Sequence, residues 1–197
     1  GNWLDYDDFR TFVNTNDLTV ASNFEAASTR MDIDNFTDYW LFEIFCGNFD
    51  WLSNNQKFWR ERSSAGLWRW VLWDVDHGFG LPHTSAGVNH GDVAWNTLDW
   101  ATGVTGERVW SGSNTMIVRN LLENDNYKTR FINHFADMLN SALKPANSLA
   151  LLDKLSKQIE PDVPQHIRRW LRIKMDDWYE RIEIVKNYLT YRPIQVK

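Results

Sequence analysis

The chain has 197 residues, 43% of them hydrophobic, enough to bury a core of its own as a single domain over 1–197. Its 26 acidic and 21 basic side chains leave a net charge of −5, a surface that repels a nucleic-acid backbone, so nucleic acid is excluded as an expected partner. No apolar run approaches the roughly 20 residues of a membrane-spanning segment, and the one cysteine, Cys46, permits no internal disulfide.

Apolar residues at helical spacing predict two short opening helices. One covers 5–13 (Tyr6, Phe9, Phe12, Val13) and one 17–27 (Leu18, Val20, Ala21, Phe24, Ala27), with Asp5 and Asp17 as N-caps. A stronger signal follows. Asp32-Ile-Asp-Asn supplies caps, Phe36, Tyr39, Trp40, Ile44 and Phe45 form a broad apolar face, and Gly47 is the expected stop, which predicts a buried helix over 34–46. The stretch 47–55 is turn-rich yet carries large apolar residues, so it reads as a loop tied to the core.

Strand-like runs at 56–61 and 67–74 flank the turn-forming Arg62-Ser-Ser-Ala-Gly66 and predict a β-hairpin. Residues 77–113 show no sustained period and read as a long functional insert resembling an activation segment. Helical patterning returns over 115–123, 126–141, 146–159 and 164–190, the last opened by Pro164. The sequon Asn35-Phe36-Thr37 lies inside a predicted helix and carries no weight.

Two short constellations could do chemistry. Asp50 and Asn55 have the five-residue spacing with which a catalytic loop sets a carboxylate for the attacking hydroxyl and an amide oxygen for a metal ion. The alternative is that Asp50 caps a turn and Asn54-Asn55 starts a strand. At the end of the second strand, Trp73-Asp-Val-Asp-His-Gly-Phe-Gly80 places Asp74 and Asp76 on one strand face, where bare carboxylates repel unless a divalent cation lies beside them. Oxygen ligands of this type suit magnesium or manganese. Asp76-His77-Gly78 also has the Asp-x-Gly form of the kinase metal-binding motif, and an ordinary solvated turn is the competing reading.

Ile33-Asp-x-Phe36, Gly47-Asn-x-Asp50, Asn54-Asn55 and Trp73-Asp-x-Asp-x-x-Phe-Gly80 resemble the central block of the CotH kinases, named for a bacterial spore coat protein. Leu121-Leu-Glu-Asn, Tyr127-Lys-Thr-Arg-Phe131 and Pro164-Gln-His-Ile-Arg-Arg-Trp170 resemble that family's C-terminal helices, so the likeness runs over about 30–175.

The resemblance implies a mainly α (α+β) fold, a protein-kinase-like C-terminal lobe with a small β-hairpin carrying the metal-binding acids. It implies ATP and Mg2+ (or Mn2+) as cofactors, with transfer of the γ-phosphate to Ser or Thr hydroxyls of secreted or surface proteins. Asp50, Asn55 and Asp76 would be the catalytic residues, with Asn55, Asp74 and Asp76 at the metal and nucleotide. It also implies a bacterial cell-surface, secreted or spore-coat setting. A kinase needs in addition an N-terminal lobe with a Gly-rich loop and a Lys. The residues before 34 read as helical without a Gly cluster, so that lobe is expected to be missing from this chain, to act in cis, and to leave the fragment itself inactive.

Other residues carry weaker readings. His77, His83 and His90, with Asp92, could be imagined as a zinc site. Lys57, Arg60 and Arg69 could meet phosphate or pair with neighbouring acids, and Arg168, Arg169, Arg172 and Lys174 read as a solvated face answered by Asp176, Asp177, Glu180 and Glu183. Trp68, Trp70 and Trp73, and Trp95, Trp100 and Trp110, support a rival function, a surface carbohydrate- or protein-binding module with a structural calcium at Asp74 and Asp76.

Overall fold

A computed structural model describes residues 3–52, 54–85, 87–103 and 114–196. The chain is mostly helical, in the order α1 (Trp3–Thr15), α2 (Ala21–Ser28), α3 (Ile33–Cys46), β1 (Lys57–Trp59), β2 (Arg69–Val71), a 3-10 turn at Val75–His77, β3 (Thr84–Ser85), β4 (Val88–Asn89), α4 (Thr97–Thr102), α5 (Met116–Leu122), α6 (Asp125–Asn140), α7 (Pro145–Ile159), α8 (Val163–Trp170) and α9 (Met175–Gln195). Two antiparallel two-stranded sheets, β1–β2 and β3–β4, are the strand content of the described residues.

α3 is the central element. Ten of its fourteen residues are buried, around the whole circumference rather than along one stripe, which is the pattern of a helix enclosed by its neighbours. Asp32 caps its start by accepting from the Asn35 amide at 3.1 Å, and Gly47 ends it in the left-handed conformation with φ 64°. Both boundaries match the sequence reading. Tyr39, Trp40 and Trp51 pack edge to face around it, and the Trp51 indole donates to the Tyr39 hydroxyl at 2.7 Å.

The segment from Trp68 to Phe79 runs along α3 and is fastened at both ends. At the start, Trp68 N donates to Arg30 O and Asp32 N to Trp68 O. Asn35 clamps Trp70 by accepting from its amide (2.7 Å) and donating to its carbonyl (3.2 Å), so the residue of the sequon is a structural clamp. At the far end Phe79 N donates to Cys46 O at 2.6 Å. A Cβ on Gly78 would lie 2.8 Å from that same carbonyl, so this approach requires glycine.

Several expected elements differ. Asp5 lies in the first turn of α1, and Asp17 accepts from Thr19 N and Oγ1 in a turn ahead of α2 instead of capping it. The hairpin is shorter than expected at both strands, pairing only Lys57–Trp59 with Arg69–Val71, and beyond it Asp74 adopts a left-handed backbone (φ 57°). The long insert contains β3, β4 and α4, while 104–113 lies outside the described residues. The single helix expected over 164–190 is two, separated at Leu171, whose φ of 53° breaks the ladder, and α9 restarts with Asp177 accepting from Lys174 N. The break parts Arg168 and Arg169 from the acids of α9, so they do not share one helical face with them.

Candidate active site

Loop 47–55 leaves the C-terminal end of α3 and is held from two directions. From α9, far away in sequence, Tyr188 OH donates to Phe45 O at 2.8 Å, and the fully buried Arg192 donates to Phe45 O and Ile44 O at 3.1 and 2.9 Å. The same guanidinium reaches Val93 O, Trp95 O and Thr97 Oγ1 at 2.7 to 2.8 Å, using all its N–H groups without a carboxylate partner among them. Burial pushes the Arg192 pKa down. A cation at the carbonyl end of α3 also complements the helix dipole.

From within α3, Glu43 is completely buried, and burial pushes its carboxyl up to about 7. Its Oε2 accepts from Asn48 Nδ2 at 3.1 Å, while its Oε1 has no partner among the described residues. Asn48, also fully buried, accepts from the Asp50 amide through Oδ1 at 3.2 Å.

Asp50 and Asn55 are brought together. Asn55 Nδ2 donates to Asp50 Oδ2 at 2.9 Å, and Asn54 Nδ2 reaches the same oxygen at 3.2 Å. The other carboxylate oxygen accepts no hydrogen bond among the described residues. Asn55 sits at φ 52°, a left-handed geometry that asparagine tolerates and that turns its side chain back onto Asp50. With its nitrogen committed to Asp50, its amide oxygen is the atom left for a cation.

Asp74 and Asp76 do not lie on one strand face as the alternation implied. Asp74 is the left-handed residue that ends the extended run, and Asp76 is in the 3-10 turn, so the period of two no longer relates them. Both are exposed, and neither carboxylate makes a hydrogen bond or ion pair among the described residues. No direct bond joins them to Asp50 or Asn55. What brings the two halves side by side is the Phe79–Cys46 backbone bond and the Phe49 and His77 rings, 4.8 Å apart, each adjacent in sequence to one of the acids Asp50 and Asp76.

His77, His83 and His90 gather around Phe49. The His83 ring stacks on it at 3.9 Å with an 8° interplanar angle, and His90 Nε2 lies 2.9 Å from Ser85 Oγ. Among the described residues no group of three or more His, Cys, Asp or Glu is arranged to hold a metal ion. Carboxylate and amide oxygens such as these are of the donor type that magnesium takes, an ion that keeps waters and phosphate oxygens in its shell.

The hairpin cations are otherwise engaged. Arg69 pairs with Asp32 at 2.9 Å, Lys57 lies over Trp73 at 5.1 Å and Arg60 over Trp68 at 5.8 Å. Trp68 and Trp70 are buried, so neither offers a face to a sugar ring, and Trp110 lies outside the described residues. Asn55 also lines a polar cleft of about 380 Å³ between α1 and β1, bounded by Tyr6, Arg10 and Lys57, but Asp50, Asp74 and Asp76 are not on its walls.

A family profile described as CotH kinase protein matches residues 1–195. The chain belongs to the CotH kinase family. No curated protein and no solved structure matches it. The family relationship makes this a kinase-like protein, and no helix among the described residues is long and apolar enough to cross a membrane. Sequence reasoning missed Glu43, Asn48, Tyr188 and Arg192. An acid inside the apolar run Phe42-Glu43-Ile44-Phe45 was a readable signal for the first, whereas the two on α9 carried none.

Proposed function

We propose that this chain carries the catalytic and metal-binding half of an atypical protein kinase that transfers the γ-phosphate of ATP to Ser or Thr hydroxyls of surface or secreted proteins, in a spore-coat or envelope setting. The observation that carries the reading is the Asp50–Asn55 contact on a loop lying against the Asp74–Phe79 segment.

In this mechanism Asp50 accepts the proton of the acceptor hydroxyl through the oxygen that Asn54 and Asn55 leave free, and so aligns the nucleophile. The two amides fix the carboxylate's rotation. Asn55, Asp74 and Asp76 would hold Mg2+ or Mn2+, which when bound neutralises charge on the transferring phosphoryl group. The ring of His77, next to Asp76 in the short 3-10 turn, lies 4.8 Å from that of Phe49, next to Asp50, which supports a shared role for the two acids. Burial of Trp68 and Trp70 takes two of the six rings from the platform on which a carbohydrate-binding alternative rested, while Trp73 stays exposed.

The test is labelled-phosphate incorporation from ATP with magnesium or manganese in the full-length protein, comparing wild type with Asp50→Ala and Asp76→Ala. Each substitution is expected to abolish incorporation with thermal unfolding unchanged. Undiminished transfer in both variants ends the kinase assignment of these residues.

A further inference from the structure

Glu43 is a carboxyl that the proposed chemistry does not use, and it lies in the most enclosed part of the molecule. A carboxyl is costly to bury, and an aliphatic residue would fill the position on the inner face of α3 at no such cost. What the carboxyl does there is specific. Its Oε2 accepts from Asn48 Nδ2, Asn48 Oδ1 accepts from the Asp50 amide, and Asp50 Oδ2 accepts from Asn55. Two hydrogen bonds in series therefore join a buried helix to the backbone amide of Asp50, the residue whose carboxylate meets Asn55. Asn48 is itself fully buried, so without Glu43 its amide nitrogen would lose its acceptor in a place where water does not replace it. Cys46 Sγ, 3.8 Å from Oε2, is a weak donor to the same oxygen; Tyr39 on α3 also interacts electrostatically with Glu43, and Arg192 on α9 does so with Cys46.

We infer that Glu43 is a positioning residue for Asp50, acting through Asn48 to hold the 47–55 loop in the one arrangement in which Asp50 and Asn55 meet. This rests on the kinase reading for its catalytic consequence but not for its structural one, and the two are measured separately.

Hydrogen exchange at the Asp50 amide reads the positioning directly. Glu43→Leu is expected to lower protection of that amide about tenfold or more relative to the amides of α3, and Asn48→Ala to do the same, since each removes one link of the path. Glu43→Gln keeps an oxygen acceptor of the same shape and is expected to restore protection to within about threefold of wild type. Should Glu43→Leu fail to fold, Asn48→Ala and Glu43→Gln decide the matter. Unchanged Asp50 protection in Asn48→Ala, or a Glu43→Gln variant as loose as Glu43→Leu, overturns the proposal.

In the phosphate-transfer assay with the full-length protein, Glu43→Leu is expected to lower kcat about tenfold or more with KM for ATP within about twofold, and Glu43→Gln to recover it. A rise in KM with kcat intact overturns the catalytic part. Absence of transfer in wild type instead refutes the kinase reading and leaves the exchange result standing.

Discussion

Replacing Arg192 by methionine removes a buried cation whose five donor contacts join α9 to the end of α3 and to the 93–97 segment. Hydrogen bonds to a charged group are worth about 1.5–3 kcal/mol each, so a simple sum would reach roughly 10 kcal/mol. That sum overcounts, because the guanidinium loses its hydration in the folded state and has no carboxylate to offset the loss, as its lowered pKa reflects. Methionine keeps much of the apolar stem but leaves the carbonyls of Ile44, Val93 and Trp95 without this donor, whereas Phe45 O retains Tyr188. The net cost expected is about 3–5 kcal/mol, the range for removing one partner of a buried charged network. In a chain of this length each kcal/mol lowers Tm by about 2–4 °C, so the fall should be roughly 6–20 °C by circular dichroism. Lysine, a point charge with three donors, should recover only part of it. A methionine variant melting within about 3 °C of wild type would refute the view that this residue fastens the loop.

Gly47→Ala imposes a left-handed residue and a Cβ 2.6 Å from the Tyr188 hydroxyl, and should cost roughly 3 kcal/mol in urea unfolding. Gly87→Ala, also at positive φ but with open space around it, should cost only about 1 kcal/mol, and equal losses at the two sites would contradict the packing argument. Tyr39→Phe strips the Trp51 indole of its acceptor in the core, for an expected loss of about 2 kcal/mol in the same assay. Glu43 makes stability depend on pH. Its folded pKa of about 7 stands above the unfolded 4.5, so the folded chain holds a proton that the unfolded chain has released. Its contribution is full below pH 4.5 and lost as pH rises through about 7, by at most about 3 kcal/mol. Glu43→Gln should therefore show a flatter Tm between those pH values, and parallel wild-type and variant curves would rule this out.

The limits of α3 were legible because they are set by local chemistry. An aspartate that caps its own helix and a glycine that alone turns left-handed cheaply act within a few residues of themselves. The Asp50–Asn55 pair was legible for the same reason, since five residues of loop let one side chain fold back on the other. The acids expected on the second strand lie beyond it. Alternation assumes an extended backbone, and Asp74 leaves the β region. The expected long last helix failed similarly, because apolar spacing ran through Leu171 while the backbone turned there to lay α9 along α7.

By itself the sequence determined the helical character, the central buried helix, the loop pair and the family, all of which rest on neighbours in the chain or on short spaced motifs. Only the tertiary structure decided how that loop is held. Arg192 and Tyr188 meet carbonyls more than 140 positions earlier, and Glu43 acquires its task from enclosure on every side. Burial changes what a charged group costs and what it must bond, and burial is a property of the packed assembly that no window of residues contains.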